Sequence, residues 1–570
     1  MTPTDHCEDA LTRTSTEEQW DAIVVGGGLG GLTCAAYLAV AGRRVLVLEQ
    51  HDWAGGNSHV FRRRRAYEFD VGVHYLGDCG SDGVIPAVLA GLGAGDRVPF
   101  RALDPDCFDQ IVIPGLTLDV PADWDEYLAR LEGVLPDDVE GLRTFTAICR
   151  AVGSEQRWAM LTDAELPEIV AGTAHVQAWS RRRLSELFDH CGLSTRARTV
   201  LAAQSPNYGM GPDIATVTTH AMVTDHYLRG AYVPVGGGQM LAATLIEVLE
   251  AHGGELRTRS RVASIDIADR VATGVRLTDG TSLTAPLVIS NADYRRTVLD
   301  LAGAEHFNPR IGRTTREATM GLPFATVYVA LDRELTRRAE ANIWWYDHED
   351  IDELYRGLYA GEQPEDVRFL FVSVASLKNP GARHLCPPGH TNIQLMTMCP
   401  PGYRHWGVEQ GPAEGGRYRR EPAYLAEKQR FTDAVVRAGE RVLGPFRDSI
   451  THLELASPLA QERYTLSTGG TPFGLATWGG TGARPDTATG VRGLYVVGQS
   501  TRYGSGVTGV MVSGIACAAQ ILGRPLLAEA HGGTVFGDPG RLPARGAGWD
   551  PLAVSRGAAR RNARGLARVD

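Results

Sequence analysis

The stretch DAIVVGGGLGGLTCAAYLAVAGRRVLVLEQ, Asp21 to Gln50, decides the fold. AIVV is a short apolar strand, GGGLGG a tight turn, LTCAAYLAVAG a small-residue helix stopped at Gly42, and RVLVLE a second apolar strand. Strand, glycine turn, helix and strand within about thirty residues make a βαβ unit, which implies a parallel sheet. Inside it, Gly26-x-Gly28-x-x-Gly31 has the spacing of a dinucleotide fingerprint. The first glycine permits the turn, the second lets backbone approach a diphosphate, and the third lets helix pack on strand. The helix start then offers unpaired N–H groups to phosphate. Glu49 ends the second strand, where an acid accepts hydrogen bonds from ribose hydroxyls. The fingerprint alone is weak evidence. Strand, helix and terminal acid together set aside an ordinary glycine-rich loop, but they do not separate NAD from FAD.

The bulk of the chain narrows the function classes. At 570 residues it exceeds what one core usually serves, so at least two lobes are expected. A net charge of −10 argues against nucleic acid as a partner, because phosphate binding needs a basic face. Lys378 and Lys428 are the only lysines, so almost all positive charge is arginine and each arginine cluster is discounted. The nine cysteines are scattered without a C-x-x-C pair, which suggests neither a disulfide framework nor a zinc site. No metal is expected. The polar, acidic start MTPTDHCEDALTRTSTEEQW is unlike a signal peptide, and no charge-free apolar run reaches a membrane span of about twenty residues. A cytoplasmic location follows.

Two more glycine turns follow strands. AYVPVGGGQMLAATLIEVLEAHGG predicts a helix from Gln239 to Ala251, and GLYVVGQSTRYGSGVTGVMVSGIACAAQIL predicts a buried strand and a glycine-opened helix. Between them, RVASIDIADRVATGVRLTDGTSLTAPLVISNAD alternates apolar and polar residues and predicts β-hairpins. Residues 80–220 read as mainly helical, and 300–455 as strands such as FATVYVALD and FLFVSVASL among loops. From Pro539 the chain is rich in Gly, Pro and Arg, which predicts disorder.

GGNSHVFRRRRAYEFDVGVHYLG, which places Gly55-Gly56 just past Glu49, resembles the FAD-containing family of phytoene desaturases, carotenoid isomerases and retinol saturases, within the amine-oxidase-like flavoproteins. GAYVPVGGGQM, RTRSRVASI and GLYVVGQSTRYGSGVTGVMVSG resemble further blocks of that family, so the likeness spans residues 20 to 525. FDVGVHYLG and TDHYLRGAYVPVGGG look most like the retinol-saturase branch. Many relatives carry Asp after the glycine of the last strand where this chain has Gln499, as retinol-saturase-like members also do.

The resemblance implies an α/β architecture: a Rossmann-like FAD-binding domain of glutathione-reductase/amine-oxidase type, interleaved with an α+β substrate-binding cap. Residues 1–19 would be a flexible N-terminus, with 20–80, 221–300 and 456–528 the FAD domain, 81–220 and 301–455 the cap, and 539–570 the disordered tail. FAD contacts are implied at Gly26, Gly28, Leu29, Gly30, Gly31, Glu49, Gln50, Gly55, Gly56, Asn57, Val262, Gly498, Gln499, Gly506, Val507 and Thr508. An arginine from Arg62 to Arg65 would help neutralise the diphosphate. His74 is expected on a strand near the flavin face. His74, Tyr75 and Tyr503 are the catalytic candidates: His74 as a proton source near neutral pH, Tyr75 to orient substrate or flavin. His226 reads as a hydrogen-bonded core histidine, and Glu462 as a surface carboxylate.

The implied activity is FAD-dependent oxidation or reduction of carbon–carbon bonds in a hydrophobic isoprenoid or polyene, with hydride transfer at flavin N5. Redox-neutral cis–trans isomerisation on reduced FAD shares the same machinery. An amine oxidase is a second reading, disfavoured by the near absence of lysine, and a prenyl-binding escort protein on the same fold is a non-enzymatic third. A hydrophobic substrate suggests peripheral contact with the inner face of a membrane. The sequence leaves the oligomeric state open.

Overall fold

Four consecutive apolar residues leave a strand no polar face, so AIVV and VLVL must be covered on both sides. They form β1 (Ala22–Val25) and β2 (Val45–Leu48), joined by helix α1 (Leu29–Val40). In this computed structural model, which describes residues 19–335, 340–363, 365–480, 483–558 and 560, three distant strands join them. These are β3 (Glu255–Arg257), β4 (Leu287–Ser290) and β5 (Leu494–Val496), giving a five-stranded sheet in the order β3-β2-β1-β4-β5. Every pairing in it is parallel. Helices α2 (Gln239–Ala251) and α3 (Gly506–Leu522) pack with α1 over one face, around Val24, Val45 and Val47. Ile23, Leu46 and Leu48 point to the other face and an antiparallel meander running from Val262 to Thr284. The hairpin reading therefore holds for three strands, whereas LVIS leaves the meander to become β4, since its apolar run suits a strand covered on both faces.

A seven-stranded, mostly antiparallel sheet forms the second layer system. Its central strands are Phe324–Leu331, Thr391–Met398, Phe369–Val374 and Asn342–Tyr346, and Asp109–Ile113 pairs parallel with the last of these. One face packs on helices from residues 124–228 and the other on the helix Pro422–Leu443. The hairpin Val60–Arg63/Tyr67–Asp70 lies between the two systems, with Tyr67 and Phe69 against Tyr328 and Ala330 of the second sheet. Among the described residues no helix is long and apolar enough to cross a membrane.

The C-terminal segment departs from the sequence reading. Up to Ala558 it is ordered against the parallel-sheet domain, although its apolar content is low. Polar anchors replace an apolar core: Arg545 stacks on Trp549 at 4.0 Å, and both donate to Glu247 of α2. The remainder of that expected tail, residues 559 and 561–570, lies outside the described residues, as do residues 1–18 of the expected flexible N-terminus.

Candidate functional site

Between the two sheet systems lies a cavity of about 1580 Å³, larger than the roughly 300–1,000 Å³ of an ordinary ligand pocket. Its first wall is built from glycine turns. Gly26 has φ +98°, and a Cβ on Gly31 would sit 2.5 Å from the Gly26 carbonyl oxygen. Helix α1 thus starts as close to β1 as backbone allows, with Gly28 as its N-cap. Glu49, buried at the end of β2, accepts from the Gly27 N–H at 2.8 Å and the His51 N–H at 2.7 Å. Burial pushes its carboxyl upward against those two hydrogen bonds. The Gly55 N–H donates to the Gly27 carbonyl at 2.7 Å, docking the double glycine on the first turn. Gly55 and Gly56 adopt φ +133° and +56°, which L side chains rarely do. Asn57 accepts from Gln461, and Val262 and Gln50 border the same space. Gly498, at φ +101°, donates its N–H to Ser513 Oγ of α3 at 2.8 Å.

Asn291, which follows β4, was not singled out by sequence. A Cβ on Gly28 would meet its amide nitrogen at 2.7 Å, and one on Gly30 or Gly498 its amide oxygen at 2.9 Å. No sequence spacing relates it to the fingerprint, and only the sheet order brings it there. Thr508 lies in the first turn of α3 with its hydroxyl buried and without a partner among the described residues, and it lines the cavity beside Gly506, Val507 and Gln499. A side-chain-free cradle, two helix starts aimed at one space and an orphaned hydroxyl fit a dinucleotide.

Of the hairpin arginines expected near the diphosphate, Arg62 and Arg63 line the cavity but are held in ion pairs. Arg62 is paired with Glu68 at 2.6 Å and Asp550 at 2.8 Å, Arg63 with Glu454 at 2.6 Å, and Arg64 and Arg65 form the turn at positive φ. Glu68 across the hairpin, Asp550 of the C-terminal segment and Glu454 of the second sheet, none adjacent in sequence, balance Arg62 and Arg63.

The opposite wall is aromatic, with Trp344, Phe371, Phe324 and Tyr424 among its residues, and contains His74 and Tyr75. Neither lies on a strand: Tyr67–Asp70 ends before them and Leu76–Gly77 begins after, with a bend between. Side-chain anchors replace the ladder. His74 Nδ1 lies 3.2 Å from Gln394 Oε1, and its Nε2 is buried without a partner among the described residues. Burial, reinforced by the Lys378 charge, lowers the imidazole to about 3, so His74 is neutral at pH 7 and is not the proton reservoir the sequence suggested. The Tyr75 hydroxyl donates to Asp109 at 2.8 Å, and its ring stacks on Tyr227 at 4.3 Å. Burial raises this phenol well above its ordinary range.

Behind the pair sits a buried charged network that sequence reasoning missed. Lys378, 1% exposed, donates to the His74 carbonyl at 2.9 Å, to Ser373 Oγ at 2.8 Å and to Asn342 Oδ1. Asn342 passes the contact on to Asp109, which also accepts from Trp344 and Gln204. Burial lowers Lys378 to about 7 and raises Asp109 to about 6. The one available signal was that a chain with two lysines places one in the apolar run FLFVSVASLK. Lys428, the other, lines the cavity.

Tyr503 also lines the cavity, with its hydroxyl accepting from Arg502 at 2.9 Å. His226 accepts from the Gly77 N–H at 3.0 Å, as a structural histidine does. Glu462 is not on the surface: it is 0% exposed, paired with Arg296 at 2.9 Å and hydrogen bonded by Tyr403 at 2.5 Å. Gly411, which packs against it, makes room for this buried pair.

Comparison with known proteins gives a consistent picture. A family model described as flavin containing amine oxidoreductase matches residues 29–522. All-trans-retinol 13,14-reductase of Danio rerio is 27% identical over 90% of this chain and 88% of its own length. Prolycopene isomerase of Arabidopsis thaliana is 26% identical over 89% of this chain and 84% of its own. Among solved structures, cyclohexylamine oxidase from Brevibacterium oxydans superposes with a TM-score of 0.57 at 15% identity, covering 89% of this chain and 100% of that one, a likeness of fold.

Proposed function

The chain belongs to the flavin-containing amine oxidoreductase family and is an FAD-dependent oxidoreductase, and from that premise we propose that it adds or removes hydrogen across a carbon–carbon bond of an elongated apolar polyene. One observation carries the reading. The cavity runs without interruption from the glycine wall to an aromatic chamber, and its volume leaves room for a substrate beside the cofactor. The names of the retinol reductase and prolycopene isomerase relatives support a retinoid- or carotenoid-like substrate.

Bound FAD supplies hydride transfer at its N5. The glycine turns and the starts of α1 and α3 would hold the diphosphate, Glu49 and Gln50 would border the ribose, and Thr508 Oγ1 would be free to hydrogen bond the flavin end. Trp344, Phe371 and Tyr75 exclude water and align an unactivated double bond, whose reaction depends on placement. His74, neutral and with Nδ1 turned to the Gln394 amide oxygen, presents Nε2 at the cavity wall as a hydrogen-bond acceptor that positions the reacting carbon and does not store a proton. Lys378 is fully committed to three acceptors, which supports polyene chemistry over amine oxidation.

An apolar substrate also favours peripheral membrane contact. Trp158, Leu166 and Val170 are 41%, 70% and 50% exposed, and the helix bearing Trp158 also sends Arg157 and Met160 to the cavity. Exposed apolar groups on and just after a helix that lines the cavity suit docking on lipid.

Anaerobic incubation of the flavoprotein, oxidised and reduced, with a polyene panel tests the proposal. A product differing by two hydrogens, with a matching change in flavin absorbance, is the expected result. Rearranged product of unchanged mass assigns the isomerase reaction, and no product from any polyene overturns the substrate class.

A further inference from the structure

The loop between Glu49 and the double glycine carries two groups that the fingerprint does not account for. Trp53 lines the cavity with its indole N–H buried and without an acceptor among the described residues. Arg556 lines the same cavity with its guanidinium 5.2 Å from the centre of the Trp53 ring, and no carboxylate pairs with it among the described residues. Five other arginines of the cavity wall are already neutralised: Arg62 and Arg63 on the hairpin, Arg157 by Asp78, Arg229 by Asp225 and Arg296 by Glu462, while Arg261, Arg419 and Arg463 line the cavity as well. Arg556 is half-buried, and an aromatic face offers it no hydrogen-bond acceptor, so its N–H donors stay available to a ligand.

The backbone around Arg556 is fixed from both sides. The Ala54 N–H donates to the Ser555 carbonyl at 2.8 Å, and Thr258 Oγ1 to the Arg556 carbonyl at 3.0 Å. Gln239 at the start of α2 ties the two strands of contact together, donating to the Ala54 carbonyl at 2.9 Å and to Ser555 Oγ at 2.7 Å. Asp550 holds Arg62, and Arg560 lies 3.8 Å from Asp52 of the same loop. The segment from Trp549 to Ala558 is therefore a strap laid over the loop that runs into Gly55. It lies beyond residue 522, where the family match ends.

We propose that this strap completes the cofactor site, with the Arg556 guanidinium and the Trp53 indole N–H together binding the anionic phosphate–ribose arm of FAD. The chemistry is that of a planar fork of donors facing phosphate oxygens, with a neutral N–H donor beside it. This inference rests on FAD being the cofactor. It supplies the cation that the arginine hairpin, held by its own carboxylates, does not.

The test is FAD affinity, read by flavin fluorescence during titration of deflavinated protein at low and high salt. Arg556→Ala weakens binding at least about tenfold, the scale of a lost hydrogen bond to a charged group. It also flattens the salt dependence, because a charge pair has been removed. Arg556→Lys restores most of the salt dependence, and Trp53→Phe, which keeps the ring and removes the N–H, weakens binding by a smaller factor. ADP competes with FAD for the wild type and less effectively for Arg556→Ala. If Arg556→Ala fails to fold, Trp53→Phe and Arg556→Lys carry the test. Wild-type affinity and salt dependence in the folded variants would sink the proposal. A wild type that binds no FAD would sink the flavin assignment itself.

Discussion

The two walls of the cavity use opposite means. The glycine wall recognises with backbone: Gly26, Gly28, Gly31 and the Gly55-Gly56 pair bring main-chain atoms to one space by having no side chains. The aromatic wall recognises with side chains, and His74 and Tyr75 are held from behind by Lys378, Asn342 and Asp109, which come from three separate stretches. A wall made of absences tolerates no addition. A wall made of buried charges tolerates no subtraction.

Substitutions that separate cofactor binding from stability probe that contrast. The largest effect is expected for Asp109→Ala, which strands Lys378 and four donors in an apolar setting. Unfolding by urea should show a loss of about 3–5 kcal/mol, with the FAD affinity of the folded fraction unchanged. Gly31→Ala should behave the other way. Its Cβ would press on the Gly26 carbonyl, costing about 1–3 kcal/mol and lowering the flavin bound per chain, measured by absorbance of the purified protein. If both variants lose flavin equally, the walls are not separable in this way.

Lys378→Met sharpens the picture through pH. The unfolded lysine keeps its proton up to 10.5, whereas the folded one releases it near 7, so the unfolded chain binds more protons between those values. Stability from this group accordingly rises with pH across that window. Removing it should flatten the rise by about 1–2 kcal/mol between about pH 7 and pH 9, read as the shift of the urea midpoint. An unaltered slope would mean that Lys378 keeps an ordinary pKa. Finally, His74→Phe should leave flavin content intact and lower turnover of a reactive polyene about tenfold, or about 1.4 kcal/mol. Full turnover would return His74 to packing alone.

The same contrast explains what the sequence disclosed. The strand–turn–helix–strand unit, α2 and α3 were legible because glycine placement and apolar runs are local constraints. Asn291 and Lys378 were not, because their positions follow from sheet order and strand register rather than from spacing along the chain. Glu462 looked like a surface acid because its partners Arg296 and Tyr403 lie far away in sequence. The C-terminal segment was misread because composition measures apolar content, and its order comes from arginine, tryptophan and Glu247.

The order β3-β2-β1-β4-β5 has a consequence for how the molecule is made. Its strands β1 and β2 are neighbours along the chain, whereas β3, β4 and β5 follow only after long intervening segments. Because chain closure over such separations must precede the contacts that reward it, the sheet assembles late and slowly. During synthesis β1 stays an open edge, and an exposed apolar edge strand invites pairing with other chains. Closure of the sheet, which a bound cofactor would stabilise, is then as much a safeguard against pairing with other chains as a condition for activity.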